Sequence, residues 1–202
     1  MLQPVDGTRI WPGYFSRAEQ AALVETLRAL VGTAPLYQVR MPRTGRPLSV
    51  QMTNLGPLGW ISDAKGYRYE PCHPQTQRPW PGIPSLLLRT WNDLTDGAPE
   101  PQACLVNYYG PGSKMGLHQD KDEEALDAPV LSVSLGDTAL FRLGGLDRKG
   151  PTRSFKLASG DVMLLGGPSR LRFHGVDRIY EGTSTLLDKG GRLNLTLRRV
   201  IR

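Results

Sequence analysis

The chain has 202 residues, a formal net charge of +6 and a hydrophobic content of 39%, which suits one domain with a substantial core. No apolar run reaches the length of a membrane span, and residues 1 to 7 lack the basic stretch and apolar segment of a secretory leader. With two cysteines, Cys72 and Cys104, the expectation is a cytoplasmic protein with reduced thiols rather than a disulfide scaffold.

The 23 glycines and 17 prolines exclude a helical bundle and point to a β-rich, loop-rich protein. The first element predicted is a helix opening at Ser16. Ser16-Arg17-Ala18-Glu19 has the form of a capping box, Leu23, Leu27, Leu30 and Val31 follow at helical spacing, and Gly32 supplies the stop. A second helix is expected from Pro84, burying Leu87, Leu88, Trp91 and Leu94 and ending at Gly97. Between them, residues 35 to 83 read as irregular. Arg40, Arg43 and Arg46 lie among Pro42, Gly45 and Pro47, and Trp60, Tyr67, Tyr69 and Trp80 follow. Long aromatic loops serve either as binding surfaces or as covers over a core.

From about residue 102 onward short strands succeed one another. Leu131, Val133 and Leu135 alternate with Ser132 and Ser134, and further strands are expected at Ala139 to Leu143, Phe155 to Leu157 and Val162 to Leu165. The last strand, Arg192 to Arg199, alternates most clearly, with Leu193, Leu195 and Leu197 set against Arg192, Asn194, Thr196 and Arg198. The expected fold is therefore α+β and mainly β, with helices packed outside an antiparallel sandwich or barrel. One domain spans residues 1 to 202, with lid and substrate loops at about 35 to 83 and the β core at about 102 to 200. A pI near 9.5 makes a polyanion a reasonable partner.

Three histidines are present, His73, His118 and His174. His118-Gln119-Asp120 sets an imidazole and a carboxylate two residues apart, which in extended chain leave the same face about 7 Å apart. A distant His174 completes two histidines and one carboxylate, a set that suits iron and keeps coordination positions open. Such a tripeptide is also a common surface pair, and Asp122 lies on the same face as Asp120. His73, in Pro71-Cys72-His73-Pro74, reads as a satisfied loop histidine. The polar stripe of the last strand carries two arginines. At a sheet edge these are solvated; on a central strand they need an anion, and the planar guanidinium pairs well with a carboxylate.

Taken together the chain resembles the AlkB family of alkylation-repair dioxygenases, most closely its bacterial members. The likeness is carried by Met52-Thr53-Asn54, Leu58-Gly59-Trp60, Pro74-Gln75-Thr76, Asn107-Tyr108-Tyr109, Leu117-His118-Gln119-Asp120-Lys121-Asp122 and Ser132-Val133-Ser134-Leu135-Gly136. It continues through Gly144-Gly145-Leu146, Gly160-Asp161-Val162, Ser169-Arg170-Leu171, His174-Gly175 and Arg192-Leu193-Asn194-Leu195-Thr196. The resemblance implies a double-stranded β-helix (jelly-roll) core with a nucleotide-recognition lid. It implies iron(II) held by His118, Asp120 and His174, and 2-oxoglutarate and oxygen as co-substrates.

By the same resemblance Arg192 pairs with the distal carboxylate of 2-oxoglutarate. Arg198 lies near the carboxylate that chelates the metal and counts among the catalytic set, while Asn107, Tyr109 and Asn194 hydrogen-bond around the co-substrate. Trp60 stacks on a flipped base, with Met52, Tyr67 and Tyr69 nearby and Asp122 beside it; Lys121 and Arg148 contact phosphates. Without the resemblance, Trp60 reads equally well as a core anchor. The implied reaction is oxidative demethylation of bases such as 1-methyladenine and 3-methylcytosine, releasing formaldehyde, succinate and carbon dioxide. The implied partner is alkylated DNA, single-stranded by preference, with double strands and RNA left open, and the protein is expected to be a monomer. Alternatives are an RNA demethylase or protein oxygenase of this fold, and a binding module for damaged strands without turnover. The last would not need the ligands or both arginines. One departure stands out: bacterial members carry tryptophan before the Gly-Gly preceding the second histidine, where this chain has Leu165.

Overall fold

The computed structural model describes residues 1–202 and contains two facing antiparallel sheets. Helix α1 spans Arg17–Val31 with the expected capping box: Ser16 accepts from Glu19 N, and the Glu19 side chain accepts from the Ser16 main chain. Helix α2 spans Ser85–Leu94, a turn shorter than expected. Pro84 is its N-cap rather than its first residue, and Thr95 caps the end before Gly97, whose φ of +82° suits glycine.

The strands are β1 (Thr8–Trp11), β2 (Tyr37–Arg40), β3 (Pro47–Leu55), β4 (Gly59–Asp63), β5 (Gly66–Glu70), β6 (Ala103–Tyr109) and β7 (Met115–His118). They continue as β8 (Val130–Gly136), β9 (Thr138–Leu143), β10 (Arg153–Leu157), β11 (Val162–Leu165), β12 (His174–Tyr180) and β13 (Arg192–Arg198). The large sheet has the order β1-β11-β8-β13-β6-β3-β2, the small one β10-β9-β12-β7, and β4-β5 forms a separate hairpin. This is the jelly-roll arrangement of two stacked sheets.

The expectation of irregular chain from 35 to 83 is corrected. Four strands lie there, and β3 pairs directly with β6 in the core. Leu48, Val50 and Met52 do alternate with Ser49 and Gln51, but the surrounding glycines and prolines mask the period. Strand β1 was not expected either; four residues carry too little pattern, and its pairing with β11 completes it.

Alternation sorts the core into two layers. On the outer face of the large sheet Leu131, Val133, Leu135, Leu195 and Leu197 pack against Leu23, Val24 and Leu27 of α1 and Leu87 and Trp91 of α2. Between the sheets lie Met52, Leu105, Tyr109, Phe141, Met163, Leu165 and Val176. Strand β13 is central, hydrogen-bonded to β6 and β8 along its whole length. Its leucines therefore face the helices while its polar stripe faces the space between the sheets, and the edge-strand alternative falls away.

Candidate active site

Asn194, Thr196 and Arg198 of the inward stripe of β13 meet the ends of β7 and β12 across a cavity of about 330 Å³, with Arg192 outside its lining, a size that suits a small ligand. His118 and His174 are register partners on β7 and β12, so the sheet itself sets the two imidazoles side by side. Asp120 follows two residues after His118. The ligand atoms of His118, Asp120 and His174 all lie within 4.8 Å of one another. His118 Nε2 is 3.8 Å and His174 Nε2 3.6 Å from the Asp120 carboxylate.

Each imidazole has its other nitrogen occupied. His118 Nδ1 lies 2.9 Å from Gly116 O, and His174 Nδ1 lies 3.0 Å from Arg172 O. A carbonyl can only accept, so these contacts put a proton on each Nδ1 and turn each Nε2 toward Asp120, where it can ligate a metal once free of its proton. Desolvation by the cavity walls, followed by the neighbouring His174, lowers the His118 pKa to about 4, although 41% of its side chain stays open. Burial alone would raise Asp120, but Arg198 and the histidines outweigh it and hold the carboxyl well below the usual range. Two imidazoles and one carboxylate converging on a point are what a divalent iron requires. The residues fit the metal.

They also fit a dicarboxylate. Arg192 is fully buried. Its N–H groups reach only neutral acceptors: Asp137 O, Leu157 O, Ser134 Oγ and Asn194 Oδ1. Burial lowers its pKa to about 10. Buried Arg192 Nε and Asn107 Oδ1 have no hydrogen-bond partner, and Asn107, Tyr109 and Asn194 line the cavity. A buried cation without an anion is costly, and a ligand carboxylate would supply the missing charge.

The base-side residues divide. Met52, Trp60, Tyr67, Asp122 and Arg148 line the cavity. Trp60 and Tyr67 stack at 5.4 Å between centroids, 18° from parallel, and Trp60 Nε1 donates to Asp122 at 2.8 Å. Lys121 is exposed and outside the lining. Tyr69, expected beside the base, shares the face of Trp60 in the β4–β5 hairpin, yet its hydroxyl bonds to Glu123 and Arg198 instead. Arg198 itself lines the cavity and donates to Asp120 Oδ1 at 2.7 Å.

His73 is buried and satisfied as expected. Its Nε2 bonds Pro35 O at 2.8 Å and its Nδ1 accepts from Gln75 N and Thr76 N. Sequence reasoning missed Glu123 and Arg170, both buried beside Asp120. In the sequence Glu123 belongs to an acidic run that reads as solvated, and only its pairing with Arg170 distinguishes it. The Leu165 side chain lines the cavity, so the departure at that position alters the wall and leaves the ligands unchanged.

The chain matches the family described as the 2OG-Fe(II) oxygenase superfamily over residues 7–198. It is 56% identical to an alpha-ketoglutarate-dependent dioxygenase AlkB homolog of Caulobacter vibrioides, covering 98% of this chain and 90% of that protein. To the alpha-ketoglutarate-dependent dioxygenase AlkB of Escherichia coli K12 it is 42% identical, covering 92% and 86%. Among solved structures, that of OsALKBH1 superposes with a TM-score of 0.81 at 34% identity, covering 98% of this chain and 100% of that one.

Proposed function

The chain belongs to the AlkB family of the 2OG-Fe(II) oxygenase superfamily and is an iron(II)- and 2-oxoglutarate-dependent dioxygenase; from that premise we propose that it demethylates N-alkylated bases, such as 1-methyladenine and 3-methylcytosine, in nucleic acid, preferably single-stranded DNA. The observation that carries this reading is one cavity lined by the metal triad, the Trp60–Tyr67 stack and the Asp122 carboxylate. Iron(II), supplied with 2-oxoglutarate and oxygen, brings the oxidising power that hydroxylates the methyl carbon. The hydroxymethyl group leaves as formaldehyde, and 2-oxoglutarate becomes succinate and carbon dioxide.

The protein's own residues bind and orient. His118, Asp120 and His174 hold the metal, and Arg192 faces the far carboxylate of the co-substrate with Nε–H, the one donor its fold partners leave free. Trp60 offers an aromatic face to a base, a contact worth about 1–3 kcal/mol. Asp122, fastened by the Trp60 indole at 2.8 Å, sets a negative charge beside a base that methylation at N1 or N3 has made cationic. A flat cationic base uses both the aromatic face and the carboxylate, which an uncharged protein side chain does not. A base inside a duplex must first be extruded, at a cost of a few kcal/mol, and a single strand avoids that cost.

The test is formaldehyde release from an oligonucleotide bearing 1-methyladenine, with iron(II), 2-oxoglutarate and oxygen present. Release from the wild type and none from Asp120→Ala is the expected result. Iron-loaded protein that consumes 2-oxoglutarate but releases no formaldehyde from any methylated oligonucleotide overturns the substrate assignment.

A further inference from the structure

Behind Asp120 lies a buried network that the reaction as described leaves unused. Glu123 accepts from Arg170 Nη2 at 3.1 Å on one oxygen. On the other it accepts the Tyr69 hydroxyl at 2.5 Å, with Arg198 Nε 3.5 Å away. Arg170, 3% exposed, directs its remaining N–H groups at main-chain carbonyls: Nε at Ala128 O, 2.8 Å, and Nη1 at Asp120 O, 2.5 Å. Arg198 bonds Asp120 Oδ1 through Nη2 and the Tyr69 oxygen through Nη1 at 3.1 Å. One metal ligand is thus gripped at its main chain by Arg170 and at its carboxylate by Arg198, and Glu123 is the counter-ion both guanidiniums share. Two cations and two carboxylates balance, which is what allows them to be buried.

Tyr69 is the outsider in this cluster. It arrives from the β4–β5 hairpin, which pairs with no strand of either larger sheet and is fastened largely by side chains. Asn54 bonds the Trp60 main chain in both directions, Ser62 bonds Arg40 O, and Trp80 bonds Glu70 O. Those bonds reach β3, the end of β2 and the loop at Trp80. Toward the metal side the hairpin reaches through Trp60 to Asp122 and through Tyr69 to Glu123 and Arg198.

We propose that Tyr69, acting through Arg198 and Glu123, is a positioning residue that couples docking of the β4–β5 hairpin to the orientation of the Asp120 ligand. Metal binding and hairpin order then favour each other. A bound metal stills the Asp120 carboxylate, and its Arg198 partner loses freedom with it, keeping Nη1 aimed at the phenol. The ordering cost is met once for both events, and the coupling is reciprocal.

Cobalt(II) is the probe, titrated into metal-free protein and followed by its visible absorption. In parallel, amide hydrogen exchange is read over residues 59 to 70 with and without cobalt(II). In the wild type cobalt(II) is expected to slow exchange in the hairpin. Tyr69→Phe keeps the ring and removes the hydroxyl. It is expected to weaken cobalt(II) binding about three- to tenfold, equivalent to one lost hydrogen bond, and to erase the cobalt-dependent protection. A merely structural tyrosine would raise exchange equally with and without cobalt(II) and leave its affinity unchanged. That result overturns the proposal, as does a wild-type hairpin whose exchange ignores cobalt(II), whatever the variant does. No nucleic acid enters the assay, so its failure is separate from a failure to demethylate.

Discussion

Arg192 shows how far a single side chain can specify a ligand. Fully buried, with neutral acceptors bonded to its guanidinium, it carries a charge that no ion pair within the fold answers, Asp161 acting on it only through space. 2-Oxoglutarate should therefore raise the thermal midpoint of the wild type, because it binds the folded state alone. Arg192→Gln should abolish that shift and raise the KM for 2-oxoglutarate by about two orders of magnitude, the scale of a lost buried charge partner. Without ligand the same variant should be no less stable than the wild type, since an unpaired buried cation is itself a cost. Thermal melts with and without the diacid, alongside steady-state kinetics, check all three.

At the scale of elements, α1 offers the cleanest local test. Ser16→Ala removes the acceptor of the capping box and should cost about 1 kcal/mol, read as a lower urea midpoint with cobalt(II) affinity unchanged. That box was legible because it needs only four consecutive residues. The polar stripe of β13 was legible for the same reason, its period of two lying within a single strand. Whether the strand was central or at an edge was not legible, because that depends on β6 and β8, dozens of residues away. Strands β2 and β3 were hidden by the turn residues around them, and the bonds of the Tyr69 hydroxyl to Glu123 and Arg198 were not legible, because they join residues 54 and 129 positions apart. Glu123 and Arg170 are 47 residues apart in the chain, and no local signal joins them.

At the scale of the whole molecule, the inter-sheet site couples folding to pH. His118 falls from its ordinary 6.5 to about 4 in the folded protein, so across that window the unfolded chain binds the extra proton and the folded one resists it. Metal-free protein should then lose stability as pH falls from 6.5 toward 4. Asp120, depressed by Arg198 and the histidines, adds a further loss below the ordinary carboxylate value. Urea midpoints measured with a chelator from pH 7 to 4 should show this slope, and His118→Gln should flatten its upper part. The layered fold also explains why the family resemblance reached the metal triad more readily than its surroundings: His118 and His174 sit at strand ends and Asp120 just beyond one, all in short motifs, whereas the walls come from both sheets and the hairpin. The pairing of His118 with His174 across the β7–β12 ladder has one more consequence. Their proximity is a matter of phase, since a slip of one residue in that short ladder would turn an imidazole out of the barrel. A single-codon insertion inside either strand would therefore disarm the centre while sparing all three ligands.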